Sequence, residues 1–289
     1  MSINKQDILK LACRYYCAYP VSSPPGRVDE AWEFPLDQTG LVPLHLWNPG
    51  TPGGPPCPEY AVGMCTLIEP TRQVLEEYVK PCLDAAREAG MTVFHVEPDL
   101  IANKYPISNL EWRPTDIPPY PEKWGNLPQD KDAEEPQSVA PEGDVEAVWK
   151  DAIPGWNKQR AEMVHGPGYR DWEGYQQMDI VESCKPIEGE YVIKTSPQFD
   201  RICRKLGIVN LIYVGFSTQG CVQFSPGGIE PMSSRGYRVM IIREATLGVE
   251  WPDTLEERLV TQLAIRNIEL KFGFSIGAPD FIHACKETV

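Results

Sequence analysis

One pattern recurs three times in this chain, and it limits the possible folds more than any other feature. A helical stretch over about 70–89 stops at Gly90 and runs into an apolar segment at 91–96. A second, over about 197–206, stops at Gly207 and runs into 208–215; a third, over about 221–235, stops at Gly236 and runs into 237–242. Glycine just past a helix supplies the left-handed C-cap, and each segment that follows is rich in β-branched or aromatic residues, as strands are. Helix and strand alternating at this spacing predict an α/β fold, a mostly parallel sheet covered by helices. A last helix is expected over about 254–270, with Glu256 and Glu257 favourably placed in its first turns.

The remaining segments are read less regularly. Residues 5–19 suggest a short helix with Ile8, Leu9, Ala12 and Tyr16 on one face, and prolines and charges interrupt any period over 20–35. Residues 39–47 read as a strand despite Pro43, whose missing donor suits an edge position or a bulge. Residues 48–58, dense in proline and glycine, form a loop. Between 99 and 188 the pattern disappears. That region holds five of the eight tryptophans and an acidic stretch over 130–146. Disordered linkers are poor in aromatics, so an ordered excursion over the sheet is expected, equally suited to an oligomer contact or an active-site lid. The expected organisation is a single domain over 1–289, with an N-terminal extension at 1–38 and a Pro/Trp-rich insertion at about 100–188.

Charge and cysteine usage exclude several classes. A net charge of −14 argues against an electrostatic grip on nucleic acid or an anionic membrane. No apolar run approaches the ~18 residues a membrane span needs, and no basic stretch leads into an apolar core near Met1, so the cytoplasm is the expected compartment. Nine cysteines are scattered with no Cys-x-x-Cys pair, which indicates neither a disulfide framework nor a zinc knuckle. His95, Glu97 and Asp99 alternate and could share a strand face. Such residues near a strand end commonly face solvent or a loop, so neither a metal nor a cofactor is indicated.

One cysteine stands apart by position. The apolar run at 208–214, broken only by Asn210, reads as a strand buried on both faces, and the small-residue turn at 215–220 delivers Cys221 to the start of a helix. A thiol there feels the positive end of the helix dipole, which favours its thiolate, and the free N–H groups beside it could hold a developing oxyanion. The carboxyl ends of strands are where open α/β sheets bind ligands. The alternative is that Cys221 is one more small buried residue.

The string Val214-Gly215-Phe216-Ser217-Thr218-Gln219-Gly220-Cys221-Val222, followed by Gly236-Tyr237-Arg238-Val239 and Arg243-Glu244-Ala245-Thr246, resembles the signature of the isochorismatase-like cysteine hydrolase superfamily, which includes nicotinamidases and carbamoylsarcosine amidases. The likeness covers 39–96 loosely and 191–270 well, and leaves the insertion unmatched. It implies a Rossmann-like three-layer sandwich with helices on both faces of the sheet, a Cys–Asp–Lys triad, and a homo-oligomer. Cys221 matches the nucleophile, and Lys194, at the end of Gly189-Glu190-Tyr191-Val192-Ile193-Lys194, matches the lysine; a solvated surface lysine is the alternative. Where the family has its aspartate base this chain has His45, and Trp47 replaces the customary glutamine. Imidazole, with a pKa of about 6.5, is a competent base for a thiol, although a histidine in a strand also serves as packing. The backbone N–H groups of Ser217 and Cys221 match the oxyanion hole, and the Phe216–Ser217 bond matches a cis peptide. The implied reaction is hydrolysis of an amide-like C–N bond in a small molecule through a Cys221 thioester. The alternative is a catalytically lapsed relative whose pocket binds a ligand or a protein partner. A thiol redox sensor would need a resolving cysteine, and none lies near Cys221 in the sequence.

Overall fold

The computed structural model describes residues 7–57, 68–105, 159, 163 and 173–288. Eight strands form one sheet: β1 (Ile8–Cys17), β2 (Gly26–Pro35), β3 (Thr39–Leu44), β4 (Thr92–Val96), β5 (Tyr191–Ile193), β6 (Asn210–Phe216), β7 (Arg238–Leu247) and β8 (Phe274–Ile276), in the order β2-β1-β8-β7-β6-β3-β4-β5. The six strands from β8 to β5 are parallel. Only β1, docked on the β8 edge, runs against them; β2, antiparallel to β1, returns to their direction. The chain starts the parallel sheet at β3 and builds outward through β4 and β5, then returns beside β3 with β6 and builds the other way. The order therefore reverses between β3 and β6, where open α/β sheets leave a crevice for a ligand.

Strand residues alternate between two apolar layers, as the pleat requires. Leu41, Ile212, Val214, Met240 and Ile242 pack with Val79, Leu83 and Phe281 on one face, whereas Val42, Tyr213 and Ile241 pack with Phe199, Ile229 and Ile268 on the other. The first layer is covered by α1 (Ile68–Val74), α2 (Lys80–Glu88) and α9 (Ala278–Lys286). Residues of α5 (Ser196–Leu206), α6 (Cys221–Phe224), α7 (Ile229–Ser233) and α8 (Leu259–Lys271) enter the second. Two further short helices are α3 (Asp99–Ala102) and α4 (Glu173–Gln177). The protein is an α/β three-layer sandwich.

Several expectations are corrected. Residues 8–17 are a strand: Leu9, Leu11 and Cys13 are buried while Lys10 and Ala12 are exposed, a period of two. The expected helical face mixed the two sides of that alternation, Leu9 from the buried side with Ile8, Ala12 and Tyr16 from the other. Residues 26–35, where no periodicity was expected, pair with β1 along ten residues. Pro43 sits in a central strand rather than at an edge. It pairs with Val214 of β6, and the β4 register skips 42 and 43, so the missing donor falls where that ladder is already open. The helix expected over 221–235 breaks into α6 and α7 at Ser225-Pro226-Gly227-Gly228, where Gly227 has φ 77°. The helix near 70–89 contains a π turn at Leu75–Val79 just before Pro81, a residue with no N–H for the α ladder. α8 begins at Leu259 rather than near Thr254, and its first N–H groups bond Glu250 instead of relying on Glu256 and Glu257. Strand β8 and helix α9 were not expected at all.

Cys57 is disulfide-bonded, and the seven free cysteines among the described residues are Cys13, Cys17, Cys82, Cys184, Cys203, Cys221 and Cys285. Pairing depends on spatial approach, which linear spacing does not report. The expected packing of the Pro/Trp-rich insertion lies almost wholly outside the described residues.

Candidate active site at the sheet's carboxyl edge

Four neighbouring strands end in register. Gly215 of β6 pairs with Leu44 of β3, Leu44 with Val96 of β4, and Val96 with Ile193 of β5. The next residue on each strand is Phe216, His45, Glu97 or Lys194, so these four stand in a row along the edge at the topological reversal. The ladder holds them there: His45 N–H donates to the Val96 carbonyl at 3.1 Å, and Glu97 N–H to that of Ile193 at 2.9 Å. Gly215 permits the close approach of β6 to β3. Its φ is +124°, and a Cβ there would lie 2.1 Å from the Leu44 carbonyl oxygen.

Beyond Gly215 the chain makes a tightly bonded turn. The Phe216–Ser217 peptide is cis. Ser217 Oγ donates to Gln219 Oε1 at 3.0 Å, and the Val249 N–H donates to the same oxygen at 3.1 Å. The Thr246 hydroxyl donates to the Gly215 carbonyl at 2.8 Å and lies 2.7 Å from the Thr218 hydroxyl. Thr246, part of the sequence signature on β7, thus fixes the turn of β6.

Cys221 opens α6 and is half-buried. Burial raises its thiol pKa above the ordinary value, opposed by hydrogen bonds from the Ser225 hydroxyl and from the Ser217 and Cys221 backbone N–H groups, while the nearby Glu97 carboxyl adds to the rise. The expected thiolate preference is therefore reversed. Four residues of helix supply a small dipole, and desolvation outweighs it.

His45 adopts φ 54°, a left-handed conformation rare for a non-glycine residue. Its ring stacks on Trp47 with centroids 4.8 Å apart, and its buried Nδ1 has no hydrogen-bond partner among the described residues. Burial pushes the imidazole pKa down to about 4, so it is neutral at pH 7. Among the described residues, no hydrogen bond joins it to Cys221. Lys194 lies at the far end of the row on the outermost strand, where its Nζ donates to Asn103 Oδ1 at 3.0 Å.

Glu97 was read from the sequence only as a weak metal-ligand candidate. It is 2% exposed, and its Oε2 accepts the Trp47 indole N–H at 2.9 Å. Burial pushes its carboxyl pKa up to about 8, against the bonds from Trp47 and the Leu46 backbone and with help from the charge of Asp179. The signal available in the sequence was an acid directly after a buried strand. What that signal lacked was the strand order that puts Glu97 beside His45. His95, two residues earlier, instead bonds Glu190 at 2.8 Å. Among the described residues, no three His, Cys, Asp or Glu side chains group as metal ligands.

No protein-family model matches this sequence, and no curated protein matches it either. Solved structures do. A cysteine hydrolase from Pseudomonas syringae pv. phaseolicola is 13% identical, with 89% of this chain and 97% of that one covered and a TM-score of 0.49. For an isochorismatase family protein from Desulfovibrio vulgaris the figures are 18%, 84%, 95% and 0.43. For a nicotinamidase/pyrazinamidase from Bacillus subtilis they are 14%, 77%, 93% and 0.33. Among the solved structures to which this chain is similar are thus a cysteine hydrolase, an isochorismatase family protein and a nicotinamidase.

Proposed function

We propose that this protein is a cysteine hydrolase that cleaves an amide-like C–N bond of a small molecule through a thioester on Cys221. One observation carries this reading: the Cys221 sulfur sits at the carboxyl edge of the sheet, with the backbone N–H groups of Ser217 and Cys221 directed at it. Donors in that position can bind the oxyanion that forms when the sulfur attacks a carbonyl carbon. Collapse of the tetrahedral intermediate expels the amine, and water then hydrolyses the thioester. His45 and Lys194 stand in the same row. The neutral imidazole can accept a proton but holds it weakly, and the lysine supplies positive charge toward the outer strand. The protein is read as a homo-oligomer acting on a small substrate; its net charge of −14 supports a role without nucleic acid or an anionic membrane.

The raised thiol pKa, and a His45 ring with no hydrogen bond to Cys221 among the described residues, favour a second reading, a lapsed relative that binds a ligand or protein partner in the same crevice. One experiment separates the two. Ammonia release is measured across a panel of small carboxamides, alongside iodoacetamide labelling of each cysteine mapped by peptide mass spectrometry. A hydrolase gives turnover that Cys221→Ala abolishes, and Cys221 is blocked by the reagent in step with loss of activity. Turnover that survives Cys221→Ala refutes the thioester route. A Cys221 no more reactive than an ordinary exposed thiol, with no turnover, favours the binding protein.

A further inference from the structure

We infer that the outer face of α8 is where two copies of this chain meet, the two helices lying antiparallel across a two-fold axis. This gives the homo-oligomer named above its surface; it rests on that part of the reading and not on the thioester route.

Helix α8 is apolar on two sides. Thr261, Ala264, Ile265, Ile268 and Glu269 are its buried positions, and Ile265 and Ile268 enter the layer on the sheet. Leu259, Leu263 and Leu270, by contrast, are 39%, 70% and 43% exposed. At about 100° per residue these three fall within about 40° of one another, on the side opposite the buried set. A helix on the surface of a globular protein turns a polar stripe outward, whereas one that is apolar all round is buried. Here the outward stripe is leucine, and it is open.

Two more exposed apolar side chains stand beside it. Glu250 accepts the N–H groups of Val260 and Thr261 at 3.2 and 2.8 Å, which holds Trp251, 49% exposed, near the start of the helix. Asn267, one turn beyond Leu263, donates to Gln223 Oε1 at 2.6 Å, which brings α6 and its Phe224, 55% exposed, alongside. Scattered single leucines need no explanation, but an apolar patch drawn from three segments marks an interaction surface.

Charge identifies the occupant. Exposed Glu256 and Glu257 precede the stripe, and exposed Arg266 and Lys271 stand in its second half. A helix that lies on a membrane carries basic residues along its polar flank; the acids here, on a chain of net charge −14, oppose an anionic bilayer. A uniformly basic partner would match one end of the stripe and be repelled by the other. A second copy laid antiparallel matches both, because its basic end falls beside the acidic start, and the two-fold axis repeats the match. The helix dipoles then also run in opposite senses, and the leucines pack on leucines.

The test is sedimentation equilibrium of the full chain over a range of concentrations. Wild type is expected at twice the 32.5 kDa of one chain. Leu263→Arg should weaken association about 30-fold or more, since it puts an unpaired charge into the centre of an apolar contact, with an unchanged circular dichroism spectrum. Ile187→Arg is the control: that residue is 55% exposed, beside the edge strand β5 and far along the sheet from α8, and association should be unaltered. Glu256→Lys and Lys271→Glu should each weaken association about 3-fold or more by setting like charges together, and the double variant should recover it.

Association of Leu263→Arg as tight as that of wild type overturns this surface and leaves the homo-oligomer standing. Wild type that stays at 32.5 kDa at every concentration overturns both, whether a segment of the same chain or a different protein covers the leucines. Should Leu263→Arg fail to fold, the charge variants decide: recovery in the double variant supports the antiparallel pair, and no recovery overturns it. Turnover by Cys221 enters none of these readouts, so failure of the thioester route remains a separate result.

Discussion

Replacing Glu190 by Gln tests the charged cluster that pins the outer strands of the sheet. Glu190 Oε1 accepts Arg87 Nε at 2.7 Å, and Oε2 accepts Arg87 Nη2 at 2.9 Å, the Ile187 N–H at 3.0 Å and a bond with His95 Nε2 at 2.8 Å. The Glu190 and His95 side chains are 7% and 1% exposed. Burial alone would raise the Glu190 carboxyl, but the bonds from His95 and Arg87 win and hold it at about 2, against an ordinary 4.5. A group held below its unfolded value contributes stability above that value and loses it as pH falls through the folded one. The contribution is therefore complete above about pH 5 and lost toward pH 2. Its size is ~3 kcal/mol from the displacement, in line with the ~3–5 kcal/mol for breaking a buried pair. Urea unfolding of both proteins at several pH values measures this directly. Glu190→Gln should be less stable by about 3 kcal/mol at pH 7, and the gap should narrow steadily below pH 4.5. A gap that stays constant from pH 7 to pH 3 would refute the electrostatic account and leave only a packing defect.

Two further outcomes follow from the site. Glu97 presents the opposite sign: its folded value of about 8 lies above the ordinary 4.5, so the native state binds the extra proton and loses stability as pH rises between the two. Glu97→Gln should therefore stabilise the fold, by up to ~4 kcal/mol at pH 8 and by little at pH 4, read from thermal melts at both pH values. Gly215→Ala should destabilise by ~3 kcal/mol or more, since an added Cβ meets the Leu44 carbonyl oxygen and φ is positive. It should also abolish selective labelling of Cys221, whereas an unaltered melting temperature would contradict the close approach of β6 to β3.

The amino-acid sequence by itself determined the alternation of helix and strand, because glycine C-caps and apolar strands are local signals that survive without tertiary context. Gly207 ends α5 in the left-handed conformation expected of it, and the residues between Phe216 and Cys221 form a turn between strand and helix. Elements whose pattern is set by a partner were misread. β1 and β2 become strands by pairing with each other, and Pro43 is tolerated in mid-sheet only because its β4 neighbour leaves a gap. The site divides the same way. Cys221 was visible as a residue at a strand-to-helix turn, but the sign of its pKa displacement was not, since desolvation depends on what the fold lays over the thiol. Glu97 could be assigned to the site only once strand order was known. Residues 45, 97 and 194 are far apart in the chain and stand side by side because β3, β4 and β5 are neighbours in register, a relation that long-range backbone pairing creates and no local pattern encodes.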